Sequence, residues 1–207
     1  MSEPSELETY RAAKDAFFRD EPESPLPASQ RHTFRGLTYY VEAPTLAFKV
    51  TPEPYDDPEI VELGTSDGDT REYQRWARIM FGVDGVEQLL TVFRQPYSGE
   101  LFLPFVDAGA GSETYGAGRY LDLPVLEDGR LLLDFNYAYH PYCAYNSMYS
   151  CPIPPAENRL RVHIRAGERL DVDEAHALWG ARLREARARG RRSAAWRRRR
   201  RRSAHQR

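Results

Sequence analysis

Residues 74–93 read Gln74-Arg75-Trp76-Ala77-Arg78-Ile79-Met80-Phe81-Gly82-Val83, then Asp84-Gly85, then Val86-Glu87-Gln88-Leu89-Leu90-Thr91-Val92-Phe93. Two runs of aliphatic, aromatic and β-branched residues meet at an Asp-Gly pair. A two-residue turn that follows the twist of its strands needs positive φ at both central positions, which Asp and Gly tolerate, so the stretch predicts a β-hairpin. The pattern continues outward. Residues 119–126 and 130–135 flank Asp128-Gly129 as a second hairpin, and residues 45–50 place Leu46, Phe48 and Val50 on one face. Residues 37–41, 60–63, 101–106 and 161–165 are further strands. Strands recurring every ~10 residues with no helices between them predict a mainly β fold, a single antiparallel β-sandwich or a partly closed barrel.

A helix precedes the strands. Ser5 and Glu8 have capping-box spacing, and Leu7, Tyr10, Lys14, Phe17 and Phe18 fall on one amphipathic face, until Pro22, Pro25 and Pro27 forbid its continuation. A C-terminal helix is expected after residue 170, where Asp171, Asp173 and Glu174 suit a helix N-terminus. The 207 residues therefore divide into a β-rich domain over 1–170 and an Arg/Ala-rich tail over 171–207, part helical and then disordered. Aromatic residues at 12% exclude a disordered chain, and no apolar run is long enough to span a bilayer. Two cysteines exclude a disulfide-dense scaffold, and the start lacks the basic and apolar regions of a signal peptide, so a cytoplasmic address is expected.

The net charge of −2 hides an asymmetry: residues 1–180 carry −14 and residues 181–207 carry +12. An acidic body with Lys14 and Lys49 as its lysines stays hydrated while salt screens its self-repulsion, which predicts a salt-loving source. The basic end has Arg at every position from 197 to 202. Clustered arginines suit phosphate, but a stretch nearly all Arg, Ala, Ser and Gly, without lysine, fits read-through of G+C-rich coding sequence better than a nucleic-acid arm.

Ionisable and aromatic groups concentrate between residues 105 and 165. The blocks are Phe105-Val106-Asp107, Ser112-Glu113-Thr114-Tyr115-Gly116-Ala117-Gly118-Arg119-Tyr120-Leu121-Asp122, Leu133-Asp134-Phe135-Asn136-Tyr137-Ala138-Tyr139-His140-Pro141, Cys143-Ala144-Tyr145, Cys151-Pro152-Ile153-Pro154-Pro155 and Glu157-Asn158-Arg159-Leu160. In these, and in Lys14-Asp15-Ala16-Phe17-Phe18, Ser24-Pro25-Leu26 and Ala166-Gly167-Glu168, the chain resembles the bacterial and archaeal family called domain of unknown function 1684 (DUF1684). Members end near Ala166-Gly167-Glu168, so the resemblance leaves the basic tail outside the pattern. The chain departs from members at Val106, where they have Arg, at Gly109-Ala110, where they have Thr-Ser, and at His140, where they have Asn. The family implies no activity, and the residues have to be read chemically.

Glu113, Arg119, Asp122 and Asp134 are charges set in apolar strand sequence, where burial is costly without a partner. Arg119 is therefore expected beside a carboxylate. The predicted second hairpin opposes Glu127 to Arg130 and sets Leu123 near Asp134, so an Arg119–Asp134 pair needs a bend or bulge, unless another strand supplies the acid. Arg119 then either pins register or receives an anionic ligand. Gly116 and Gly118 fit a bulged strand or a close ligand approach, and lack the helix and third glycine of a phosphate loop.

Residues 136–159, with five tyrosines and four prolines, form a long loop suited to a lid or binding wall. Asn136 and Asn158 fit loop clamps on their own neighbouring backbone. Cys143 and Cys151 admit three readings: a disulfide, a metal pair completed by His140 and His163, or one nucleophile and one spectator. Their spacing is not that of a zinc ribbon, and no metal or other cofactor is assigned. The expectation is a pocket between the 113–122 strand and the 136–159 loop that binds a small polar or anionic molecule. Glu113, Tyr115, Arg119, Asp134, Asn136, Tyr139, Asn158 and Arg159 would bind it. Two alternatives stand beside this: a hydrolase-type enzyme in the same pocket with Cys143, Glu113 or His140 as catalytic groups, and a ligand-free structural or interaction domain.

Overall fold

In a computed structural model, which describes residues 3–170, helix α1 (Glu6–Asp20) begins where its first N–H groups find side-chain acceptors. The Ser5 hydroxyl accepts from the Glu8 N–H at 3.1 Å, and the Glu8 carboxylate accepts from the Ser5 N–H at 2.7 Å. Phe18 is fully buried, packed against Phe34, Tyr142 and Tyr145. The one-turn helix α2 (Ala28–Arg31) follows. The C-terminal helix and basic tail expected beyond residue 170 lie outside the described residues.

Eight strands follow in order: β1 (Ala47–Val50), β2 (Glu53–Pro54), β3 (Ile60–Gly64), β4 (Thr70–Val83), β5 (Val86–Arg94), β6 (Leu101–Phe105), β7 (Arg119–Leu121) and β8 (Leu131–Asp134). Among the described residues these strands pair antiparallel, and the isolated bridges Val106↔Arg159 and Ala110↔Thr114 are parallel. One sheet runs β2-β4-β5-β6-β7, with β3 also on β4; the other is the pair β1-β8. The end strands of the larger sheet do not pair with each other, so it stays open and the fold is sandwich-like rather than a barrel.

The first predicted hairpin forms as read. Val83 pairs with Val86 across Asp84 (φ 51°) and Gly85 (φ 77°), both left-handed. The second does not: β7 pairs with β6 and β8 with β1, leaving the bridge Val125↔Leu131 near the turn. There the turn closes as Gly129 N–H to the Leu126 carbonyl and Leu126 N–H to the Arg130 carbonyl, with positive φ at Gly129 alone. This is a three-residue loop with a glycine bulge, and Pro124 just before it has no N–H for a ladder. Two other expected strands are absent. Residues 37–41 make a single bridge, Tyr39↔Glu168, next to Gly167 at φ 74°, which turns the partner away. Within 161–165 the Ile164 N–H goes to the Asp107 carboxylate at 3.1 Å instead of to a strand. The strand expected over 45–50 begins at Ala47, because Pro44–Leu46 form a 3-10 turn.

The large sheet carries a core on each face, while Arg78, Met80 and Leu89 of the β4–β5 hairpin stay exposed. Ile79, Phe81, Leu90, Val92, Leu103, Phe105 and Leu121 share one core with Leu131, Leu133 and Phe135 of the β8 side. Tyr73, Phe93, Phe102 and Tyr120 share a second core with Leu63, Tyr115 and Cys143. A register shift between Arg75 and Ala77 connects the two. Trp76 is the extra residue of a bulge, so odd-numbered Tyr73 belongs with the second core and odd-numbered Ile79, Phe81 and Val83 with the first.

Candidate functional site

The run Gly118-Arg119-Tyr120-Leu121-Asp122 shows how one strand serves both faces. Gly118 (φ 99°) lies so close to the Phe105 carbonyl that a Cβ would stand 2.5 Å from it. Arg119 and Leu121 then point to the first core, while Tyr120 and Asp122 point the other way, as strand alternation requires.

Arg119 is fully buried. Its Nη2 donates to the Ile164 carbonyl at 2.6 Å and to Asp107 Oδ1 at 3.3 Å, and its Nη1 to the carbonyls of Glu168, at 3.0 Å, and Ala166. The Asp107 carboxylate also accepts from Thr114 and from the N–H groups of Gly109 and Ile164. The expected carboxylate partner thus comes from the end of β6 and not from Asp134. A second ion pair sits nearby: Lys14 Nζ stands 2.6 Å from Glu168 Oε1, while Glu168 Oε2 accepts from the His140 N–H at 2.7 Å and the Tyr145 hydroxyl at 2.9 Å. Burial alone would raise the Glu168 carboxyl, but Lys14 and His140 outweigh it and leave it below its ordinary value. His140 accepts the Tyr115 N–H on Nε2 at 3.2 Å, and its Nδ1 lies 3.7 Å from Glu168. Burial drives the imidazole down to about 4.

On the opposite side of β7 lies an open cleft of about 1260 Å³. Helix α1 gives it Tyr10, Lys14 and Phe17, the sheet gives Tyr73, Phe102, Tyr120 and Asp122, and the loop gives Tyr139, Tyr142 and Tyr149. Asp122 is exposed to the cleft, yet the surrounding walls raise its carboxyl above the ordinary value. Oδ1 accepts the Tyr139 hydroxyl at 3.2 Å. Lys14 Nζ lies 4.4 Å from the centre of the Tyr139 ring, so the cation already held by Glu168 also occupies an aromatic face. Burial holds the hydroxyls of Tyr10, Tyr120, Tyr139 and Tyr142 above their ordinary range, Tyr10 at about 12, and all are neutral donors at pH 7.

The residues singled out from the sequence disperse among these regions. Of the expected ligand-binding set, Tyr139 lines the cleft. Glu113 is held at the surface by a bidentate contact from Arg165 (2.8 and 2.9 Å) and by the Tyr40 hydroxyl, and the Arg165 bonds are the main reason its carboxyl is pushed down to about 2. Asp134 caps the turn at Asn136. Asn136 clamps both backbone groups of Ala43, and Asn158 clamps both of Thr91 together with the Pro104 carbonyl. Tyr115 is buried with its hydroxyl 3.9 Å from Cys143 Sγ, and Arg159 is exposed. Cys143 and Cys151 are buried, neighbouring thiols with no disulfide. His140, the base expected for a Cys143 nucleophile, turns Nε2 to the Tyr115 N–H and sets Nδ1 3.7 Å from Glu168. Among the described residues no three His, Cys, Asp or Glu side chains are grouped to hold a metal ion.

Reasoning from the sequence missed the face of α1 and the residues Tyr73, Phe102 and Tyr120. The period of two through Arg119-Tyr120-Leu121-Asp122 carried the signal for Tyr120, and the helical spacing of Tyr10, Lys14 and Phe17 carried it for α1.

Residues 32–169 match the family described as "Protein of unknown function (DUF1684)". The chain belongs to the DUF1684 family. A solution NMR structure of an uncharacterised protein from Haloarcula marismortui is 41% identical, covering 81% of this chain and 94% of that one, with a TM-score of 0.64. No curated protein matches. The DUF1684 match spans every strand and the whole 139–152 wall of the cleft, while α1, the other wall, precedes it. Among the described residues no helix is long and apolar enough to cross a membrane.

Proposed function

We propose that the protein binds a small, flat, polar molecule in the cleft, at the end of the 113–122 segment and against the loop that follows Asn136. The observation that carries this reading is Asp122: a carboxylate open to an aromatic-walled cavity, raised by its surroundings, with the Tyr139 hydroxyl as its hydrogen-bond donor among the described residues. Binding sites typically combine apolar and aromatic walls with a few such polar groups that set orientation. The rings of Tyr10, Tyr73, Tyr120, Tyr139 and Tyr149 offer flat faces, and Asp122 accepts hydrogen bonds from a ligand edge. The charge balance narrows the class: Glu100 and Asp122 offset Lys14 and Arg71 around the cleft, and Lys14 is already paired with Glu168. An uncharged ligand that donates hydrogen bonds fits this lining better than an anion.

Saturation-transfer NMR with three probe classes tests it: neutral sugars, nucleobases and aromatic carboxylates. Binding by the sugars or nucleobases, lost when Tyr120 and Tyr139 are replaced by Ala, is expected. Binding by the carboxylates alone would overturn the charge argument, and silence from all three at millimolar concentration would favour a ligand-free structural domain.

A further inference from the structure

Cys143 and Cys151 are both buried, at 4% and 8% exposure, although seven residues separate them. The Cys143 N–H donates to Cys151 Sγ at 3.4 Å, which sets the two thiols side by side. Their anchors differ. Cys143 stands on the 3-10 turn Tyr142–Ala144, whereas Cys151 is fixed through its N–H and carbonyl to Ser66, at 3.1 and 2.9 Å, beside the turn that joins β3 to β4. Between them the chain carries Met148, Tyr149 and Ser150 along the cleft, and Cys151 itself lines it.

We propose that Cys143 and Cys151 form a dithiol oxidation site whose oxidant is hydrogen peroxide entering from the cleft, and that the resulting disulfide fixes the cleft wall between them. One sulfur attacks the peroxide O–O bond, becoming a sulfenic acid as water leaves. The second sulfur displaces hydroxide from it, which departs as a second water with the remaining thiol proton. One S–S bond forms, two electrons pass from the sulfurs to the peroxide, and both thiol protons end in water. The hydrogen bond to Cys143, followed by burial, raises the Cys151 thiol well above its ordinary value, so the pair oxidises slowly at neutral pH. The bond closes a short loop and ties the Tyr142 turn to the β3–β4 turn, restricting Met148 and Tyr149. Disulfide formation is independent of any ligand; its effect on ligand entry rests on the binding function proposed above.

The full chain, treated with hydrogen peroxide at low protein concentration, is denatured, alkylated with iodoacetamide and weighed. The expected product is a monomer lighter by two hydrogen atoms, unlabelled, with peptides 143 and 151 linked, and dithiothreitol restores two labels. Two labels after peroxide, a sulfinic acid, or only intermolecular dimers would overturn the proposal. In Cys143→Ser the remaining thiol gains no internal partner; should that variant fail to fold, the mass of the native chain decides alone. Amide shifts on oxidation are expected over 142–151 and not at the 82–87 hairpin tip. Unchanged shifts over 142–151 in a chain that has formed the bond would refute the fixing of the wall while leaving the ligand screen unaffected.

Discussion

His140 packs with one ring nitrogen accepting a backbone N–H and the other facing Glu168, in a site from which water is excluded. Burial lowers the imidazole from 6.5 to about 4, with Arg119 and Lys14 acting in the same direction and Glu168 against it. The folded chain therefore binds fewer protons here than the unfolded one between pH 6.5 and about 4, and stability falls as the pH is lowered through that window. Glu168, held below its ordinary value, is lost in the same direction as it protonates. Urea unfolding at successive pH values is expected to show the midpoint dropping from pH 6.5 downward, with a smaller drop in a His140→Gln variant; a midpoint flat to pH 4 would refute this. Such a site was only half legible. The cost of burying charge dictated that Arg119 would have a carboxylate partner, but the choice of Asp107 over Asp134 depends on β7 pairing with β6, which no local pattern specifies. Asn136 and Asn158 were read as clamps on their own neighbouring backbone, whereas the backbone they hold lies 93 and 67 residues away.

Among elements, the hairpin of β4 and β5 was readable because its turn demands unusual backbone at two adjacent residues, and Asp84-Gly85 supply both. Replacing Asp84 by Val puts a β-branched residue at φ 51° and is expected to cost about 1–2 kcal/mol in denaturant unfolding; a cost near zero would mean the turn relaxes to another type. The same dipeptide at Asp128-Gly129 misled, since a three-residue loop needs positive φ only at the glycine, and Asp128 instead accepts from Arg130. The Trp76 bulge was invisible for a related reason. Tyr73, Ala77, Ile79, Phe81 and Val83 are all odd-numbered and read as one face, and the switch between cores becomes apparent only when β5 is laid beside it. That switch is what delivers Tyr73 to the cleft.

Across the whole molecule two properties join: an acidic body and an open aromatic cleft. Residues 1–180 carry −14, and at 1 M salt the screening length falls to about 3 Å, so self-repulsion is largely removed. The melting temperature is expected to rise as KCl goes from dilute buffer to the molar range; a fall would contradict an acidic surface adapted to salt. The floor, helix wall and loop wall of the cleft meet at Asp122. The most direct measurement is a titration of isotope-labelled protein with the tightest probe of the sugar and nucleobase series, for the native chain and for Asp122→Asn. Amide shifts are expected at Tyr120, Asp122, Tyr139 and Tyr149, with a loss of about tenfold or more in affinity for Asn, the worth of one hydrogen bond to a charged group. Equal affinity in the two proteins, or shifts confined to residues far from the cleft, would contradict it.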